Sequence, residues 1–318
     1  MAWIDVFNGD ADGLCSLVQL RLAEPAESEL VTGTKRDIQL LRPVMAGPGD
    51  CVTVLDISFD RNRAEVRRLL DLGARLRYFD HHFAGDIPHH PSLEAVIDTS
   101  ANVCTSLLVN RHLGGRHLAW GVAGAFGDNL GETAAALAAD AGFDERDTAA
   151  LRHLGELLNY NSYGTRLEEL HFHPASLFRR LIGFPDPCAV LTECVELRRL
   201  AGGFEADLAA ARELRVAVAA PRAAVYLLPD APWARRVIGT WANEVARGFP
   251  DRAHLFLCPD GEGTLTVSVR AARSRPRFAA EFCRRYPNGG GREAAAGINR
   301  FDPRDQDSLL REFCSAFG

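Results

Sequence analysis

The chain has 318 residues, a hydrophobic content of 47%, a charged content of 25% and a formal net charge of −6. That length exceeds one ordinary core and fits two domains, and the composition is that of a globular chain. The acidic balance argues against long duplex nucleic acid, which calls for a basic stripe, and no apolar stretch approaches the ~20 residues of a membrane span.

The first predicted strand is Trp3-Ile4-Asp5-Val6-Phe7, with no basic segment ahead of it, so the expected compartment is the cytoplasm. It ends on the turn Asn8-Gly9-Asp10-Ala11-Asp12-Gly13, which opens a helical run from Leu14 to Leu22. Asp10 and Asp12 lie two apart, so both side chains can aim at one crevice. Asp-Gly pairs also mark turns and helix caps. A second apolar run, Cys51 to Leu55, ends on Asp56, and an amphipathic helix over 60–72 follows it. A third, Arg75 to Phe79, ends on Asp80-His81-His82. Strand, helix, strand, helix, strand predicts a parallel sheet, whose ligands bind beyond the carboxyl ends of the strands. Carboxylates gathered there need a cation, and carboxylates with imidazole suit Mn²⁺ or Mg²⁺.

Two helices are expected over 101–113 and 118–126, ending at Gly127-Asp128-Asn129, where Asp128 either caps the helix over 132–141 or adds a fourth acidic arm. Helical segments continue over 147–160 and 189–218. His89-His90, His171 and His173 read as ordinary loop residues. The eight cysteines are scattered without a Cys-x-x-Cys pair and read as reduced core thiols. Lys35 is the only lysine, so arginine is this chain's habitual cation and no Arg is a phosphate ligand on identity alone.

The C-terminal part reads as a smaller α/β unit. It has strands over 223–228, 254–258 and 264–269, helices over 234–247 and 278–286, and then Pro287-Asn288-Gly289-Gly290-Gly291-Arg292. Three glycines beside an arginine predict a loop, either a phosphate cradle or a flexible connection.

These motifs together resemble the DHH phosphoesterase superfamily. Asp10-Ala11-Asp12-Gly13, Asp56, Asp80-His81-His82 and Gly127-Asp128 match its N-terminal motifs, and Gly289 to Gly297 looks like its GGGHxxAAG signature. The resemblance implies an α/β chain with a mainly parallel DHH-type domain over 1–190, a helical connector over 191–220 and a C-terminal substrate domain over 221–318, with the active site in the cleft between the domains. It implies two Mn²⁺ ions, with Mg²⁺ as the alternative. Asp10 would bind the first, Asp12, His81 and Asp128 the second, and Asp56 both. His82 would face the substrate phosphate and Asp80 would orient the neighbouring histidine. Such ions lower the pKa of a water and stabilise an in-line displacement at phosphorus.

Two positions depart from the pattern. Asn8, a neutral and weaker oxygen donor expected at the first metal, stands near where many relatives carry His or Asp, and Arg292 replaces the signature His. Arg270 is expected to assist Arg292. The expected activity is metal-dependent hydrolysis of short oligonucleotides or small nucleotide phosphodiesters. A phosphomonoesterase, a pyrophosphohydrolase and a nucleotide-binding sensor are the rivals. The oligomeric state is open, with a homodimer among the options.

Overall fold

The computed structural model describes residues 1–317, and the chain divides into two compact units, Met1–Gly202 and Gly203–Gly318. The first begins with β1 (Trp3–Phe7), α1 (Ala11–Ala23), β2 (Glu29–Thr32), β3 (Cys51–Leu55), α2 (Phe59–Asp71), β4 (Arg75–Asp80) and β5 (Leu93–Ile97). All five strands are parallel in the order β2-β1-β3-β4-β5. From β1 the chain pairs first to one side and then returns to the other, so strand order reverses between β1 and β3. That switch point opens a crevice at the carboxyl ends of these strands.

Alternation along the strands sorts their side chains onto two faces. Ile4, Val6, Val52, Val54, Leu76 and Tyr78 share one core with Val66, Leu69 and Leu70 of α2. The other face carries α1, buried from Ala11 to Arg21. Being apolar on nearly all sides, α1 suits the centre of a helical layer, where it packs against α3 (Thr105–His112) and α4 (Leu118–Gly127) and, beyond α5 (Gly131–Asp140), against α6 (Glu145–Ser162). Gly127, at the end of α4, permits this packing, because a Cβ there would collide with Ala11 and crowd the Gly155 carbonyl. A buried ion pair ties α1 to β1: Arg21 donates from Nη2 to Asp5 Oδ1 at 2.5 Å and from Nε to Oδ2 at 2.7 Å.

The helices α7 (Pro174–Leu181), α8 (Val190–Glu193) and α9 (Val195–Arg212) follow. The helical stretch expected over 189–218 is thus interrupted at Cys194 and stops at Arg212, since Val218–Ala220 is already a strand, β6. The unit boundary falls within α9.

In the second unit come β7 (Ala223–Leu227), α10 (Pro232–Gly248), β8 (Ala253–Pro259), β9 (Leu265–Arg270), α11 (Phe278–Cys283), β10 (Gly289–Arg292), β11 (Ala295–Phe301) and α12 (Gln306–Ser315). Its sheet has the order β10-β11-β9-β8-β7-β6. Val225, Leu255, Val267, Val269 and Ile298 pack with Phe278 and Phe282 of α11 and Leu309 and Phe313 of α12. The expected glycine loop is a correction: Gly289–Arg292 is a strand, antiparallel to β11 from Gly289↔Ile298 to Arg292↔Ala295. The glycines serve close approach. A Cβ on Gly289 would strike the Cys283 carbonyl at the end of α11, and Gly291 has φ +137°, a backbone angle that side chains disfavour. Among the described residues no helix is long and apolar enough to cross a membrane, and all eight cysteines are unpaired.

Candidate metal centre

The first three motifs sit where parallel strands end, and Asp128 follows α4. Asp10 and Asp12 follow β1, Asp56 follows β3, and Asp80, His81 and His82 close β4. Asp10 caps α1, its Oδ1 accepting from the amides of Asp12 and Gly13 at 3.0 and 3.1 Å. The cap reading of Asp10 therefore holds. Asp12 is fully buried and lies against the start of α3: Oδ2 accepts from the Thr105 amide at 2.7 Å and Oδ1 from the Ser106 amide at 2.8 Å. Two amides and the positive helix end satisfy its oxygens in place of solvent.

Asp56 has φ +59°. A non-glycine residue held in this region stores strain of about 1–3 kcal/mol, as residues at functional sites often do. The effect is to point its carboxylate into the crevice, where Oδ1 lies 3.4 Å from His81 Nε2 and 3.3 Å from the Thr105 hydroxyl. His81 Nδ1 lies 3.1 Å from the Val103 carbonyl. A carbonyl only accepts, so that nitrogen carries the proton and Nε2 presents its lone pair. Around Nε2 stand Asp56, Asp128 Oδ2 at 3.8 Å and Asp12 Oδ2 at 4.0 Å. Asp128 does not cap α5, whose cap position is Leu130. Its carboxylate joins the crevice instead.

His82 Nδ1 is 2.6 Å from Asp80 Oδ1. Asp80 is fully buried and held by the amides of His81 and Phe59.

The crowding of carboxylates perturbs their protonation. Burial, followed by the charges of Asp10 and Asp12, raises Asp56 well above the usual carboxylate range. Burial and then Asp12 raise Asp128 to about 6, against the pull of Lys35. For Asp10 burial acts in the same sense, but the Lys35 ammonium and the cap hydrogen bonds outweigh it and hold the carboxyl below its ordinary value. His82 is raised, burial being overcome by the Asp80 hydrogen bond and charge. Such a cluster favours a bound cation. Two donor groups converge within 4.8 Å, Asp56 with His81 and His82, and Asp12 with His81 and Asp128. Mixed carboxylate and imidazole donors fit Mn²⁺ or a similar divalent ion.

Several residues of the crevice were not read from the sequence. Lys35, noted in the sequence only as the single lysine, places Nζ 2.5 Å from Asp10 Oδ2 and 3.1 Å from Asn159 Oδ1. Arg61, Ile38 and Ser58 line the same pocket of about 320 Å³ with Asn8, Asp10, Asp56, His81, His82 and Asp128. The signal for Lys35 was its singularity, one lysine kept in a chain that otherwise uses arginine. Asn8 turns its side-chain oxygen to the Asp10 amide at 3.3 Å.

The second unit places Arg270 and Arg292 on one row of its sheet, Arg270↔Ala295↔Arg292. Arg270 is held there by Asn243 Oδ1 at 2.7 Å, Ser268 Oγ at 2.9 Å and the Gly239 carbonyl at 3.2 Å. It fastens β9 to α10. Arg292 is exposed, and Gly290 has open space where a side chain would stand.

The fold matches known structures along the whole chain. A manganese-bound exonuclease RecJ aligns over 99% of this chain and 89% of its own, at 18% identity and a TM-score of 0.57. The chain shares the fold of that exonuclease. The RecJ–Mn²⁺ complex of Thermus thermophilus aligns over 100% of this chain at 18% identity and a TM-score of 0.60. This chain spans 52% of that protein's length. A pGpG-specific phosphodiesterase, PggH of Vibrio cholerae, aligns over 99% of this chain and 98% of its own, at 16% identity and a TM-score of 0.55. No protein-family model and no curated protein sequence matches the chain. At such low identity the likeness concerns the fold, and within it the DHH motif residues line the crevice at the strand ends.

Proposed function

We propose that the chain is a Mn²⁺-dependent phosphodiesterase acting on very short oligonucleotides or small nucleotide phosphodiesters. The observation that carries this reading is the convergence of Asp12, Asp56, His81 and Asp128 at the switch point, beside a histidine fixed by a buried aspartate. Similarity in fold to manganese-bound RecJ and to a pGpG phosphodiesterase supports it. Mg²⁺ fits the same oxygen-rich donors.

A divalent ion held by these residues would polarise the phosphoryl oxygens and lower the pKa of the attacking water. His81 keeps its Nε2 lone pair available because Nδ1 is engaged by Val103, and Thr105 holds the Asp56 carboxylate in place. As the water oxygen bonds to phosphorus, the bond from phosphorus to the leaving oxygen breaks. His82, whose pKa the Asp80 hydrogen bond and charge raise, is the group that returns a proton to that oxygen. Arg61 at the pocket wall supplies a guanidinium for the substrate phosphate. A pocket of about 320 Å³ accommodates the end of a small nucleotide rather than a duplex. On the second unit, Arg292 and the open edge at Gly289, Gly290 and Gly291 form a further phosphate-binding feature in this reading. Arg270 serves it by holding the sheet row rather than by touching substrate.

The test is hydrolysis of a dinucleotide, a five-residue RNA, 3′,5′-bisphosphoadenosine, a cyclic dinucleotide and pyrophosphate, in Mn²⁺ and in chelator. Metal-dependent release of mononucleotide from the short oligomers is expected. Cleavage of pyrophosphate or of the bisphosphate alone would move the chain to the monoesterase or pyrophosphohydrolase reading. Nucleotide binding with no turnover of any substrate would make it a sensor.

A further inference from the structure

Resting on the metal-dependent reading above, we infer that Lys35 fills one of the two cation positions implied by the DHH resemblance, so that the centre holds a single divalent ion beside a fixed ammonium. The ammonium is built in from several directions. Nζ is 2.5 Å from Asp10 Oδ2 and 3.1 Å from Asn159 Oδ1, and it lies 5.9 Å from the centre of the Tyr163 ring. Asn159 is itself oriented, donating from Nδ2 to the Tyr163 hydroxyl at 3.1 Å. The Lys35 backbone amide donates to the Ser162 carbonyl at 3.1 Å, and Asp37 closes the turn before it by accepting from the Thr34 amide at 2.7 Å. This is a lysine anchored at both ends of its side chain.

The donors of that position are already engaged. Asp10 gives Oδ1 to the two amides at the start of α1 and Oδ2 to Lys35. Asn8, the neutral residue where relatives carry a stronger ligand, gives its oxygen to the Asp10 amide. Among the described residues the two convergent donor groups share His81, and neither includes Asp10. One ion therefore has a complete set of protein donors, while a second would have to displace an ammonium from its carboxylate.

Charge balance agrees. Asp10, Asp12, Asp56 and Asp128 would be neutralised by two divalent ions. With Lys35 present, one ion leaves the cluster with a single negative charge, and two would leave it positive, with three cations crowded in a partly desolvated crevice. The departures at Asn8 and Lys35 thus read as one change: a weaker first-position ligand together with a covalently tethered cation. The tethered charge also lines the pocket, where it can neutralise a phosphoryl oxygen without having to be bound from solution.

The experiment is a Mn²⁺ titration of the metal-free 318-residue chain, read by bound ion per chain and by electron paramagnetic resonance. The expected result is one Mn²⁺ per chain with no spin–spin coupling, a second and coupled Mn²⁺ in Lys35→Met, and one ion again in Lys35→Arg, which retains the cation. Two coupled ions in the unaltered protein would overturn the inference while leaving the metal-dependent reading intact. A Lys35→Met protein that still takes one ion would overturn the placement of Lys35 at that position. No binding by the unaltered protein would overturn the metal-dependent reading as well. The stoichiometry of the unaltered chain decides the matter even if a variant fails to fold.

Discussion

Asp128→Asn separates the demands of metal binding from those of folding. In the metal-free chain the Asp128 carboxyl is raised to about 6, chiefly by burial and then by the charge of Asp12. Its unfolded value is near the ordinary 3.8. The folded chain therefore binds this proton more tightly than the unfolded chain, and stability falls as pH rises from about 4 to about 6. Above that window the ionised carboxylate destabilises the fold by about 1–3 kcal/mol, at 1.36 kcal/mol per pKa unit, the lower figure allowing for a side chain that is 21% exposed. An amide of the same shape carries no such charge. In chelator at pH 8, Asp128→Asn should therefore melt roughly 2–10 °C above the unaltered protein, and the gain should vanish near pH 4. Saturating Mn²⁺ should reverse the order, since an ion at one thousand times its Kd contributes about 4.1 kcal/mol to a chain that binds it. Differential scanning calorimetry across pH, with and without Mn²⁺, measures both effects. An Asp128→Asn protein no more stable than the original in chelator at pH 8, or one whose gain persists at pH 4, would refute the reasoning.

Other substitutions probe the scaffold and the acid. Arg21→Leu leaves Asp5 charged and buried beneath α1, and unfolding should become easier by about 3–5 kcal/mol in urea titration. Gly127→Ala forces α4 away from Ala11 and Gly155 and shifts Asp128 with it, so Mn²⁺ affinity should drop along with stability in calorimetric titration. His82→Gln should lower kcat by about 10²–10⁴. Because Asp80 raises His82 above its ordinary value, the acid form persists past pH 6.5 and activity declines as pH rises through the raised value. His82→Gln removes that decline from the kcat profile, and Asp80→Asn moves it to lower pH.

The central strands were legible because parallel strands buried on both faces read as short apolar runs, and an aspartate ends β4, follows β3 directly and stands in the turn after β1. The edge strands were not. Glu29–Thr32 and Leu93–Ile97 are half-buried and mix polar with apolar residues, so neither shows a clear period. Gly289–Arg292 reads as a loop because glycine has no strand preference. It is a strand because β11 pairs with it, a tertiary effect. Asp10, Asp12, Asp56 and His81 could be gathered on paper because the rule for strand ends places them together. Lys35 could not, since its reach from a turn 25 positions downstream to Asp10 depends on where α6 sets Asn159 and Tyr163. Arg270 shows the converse: a residue of the right type in the right row, whose hydrogen bonds hold α10 to the sheet.

The most direct test of the account is to hydrolyse a short dinucleotide in water labelled with heavy oxygen, comparing the unaltered chain with Asp56→Asn in Mn²⁺ and in chelator. The account predicts one labelled oxygen in the phosphate of each cleaved diester, with turnover that requires Mn²⁺ and is lost in Asp56→Asn. Turnover that survives chelation or survives Asp56→Asn would contradict it.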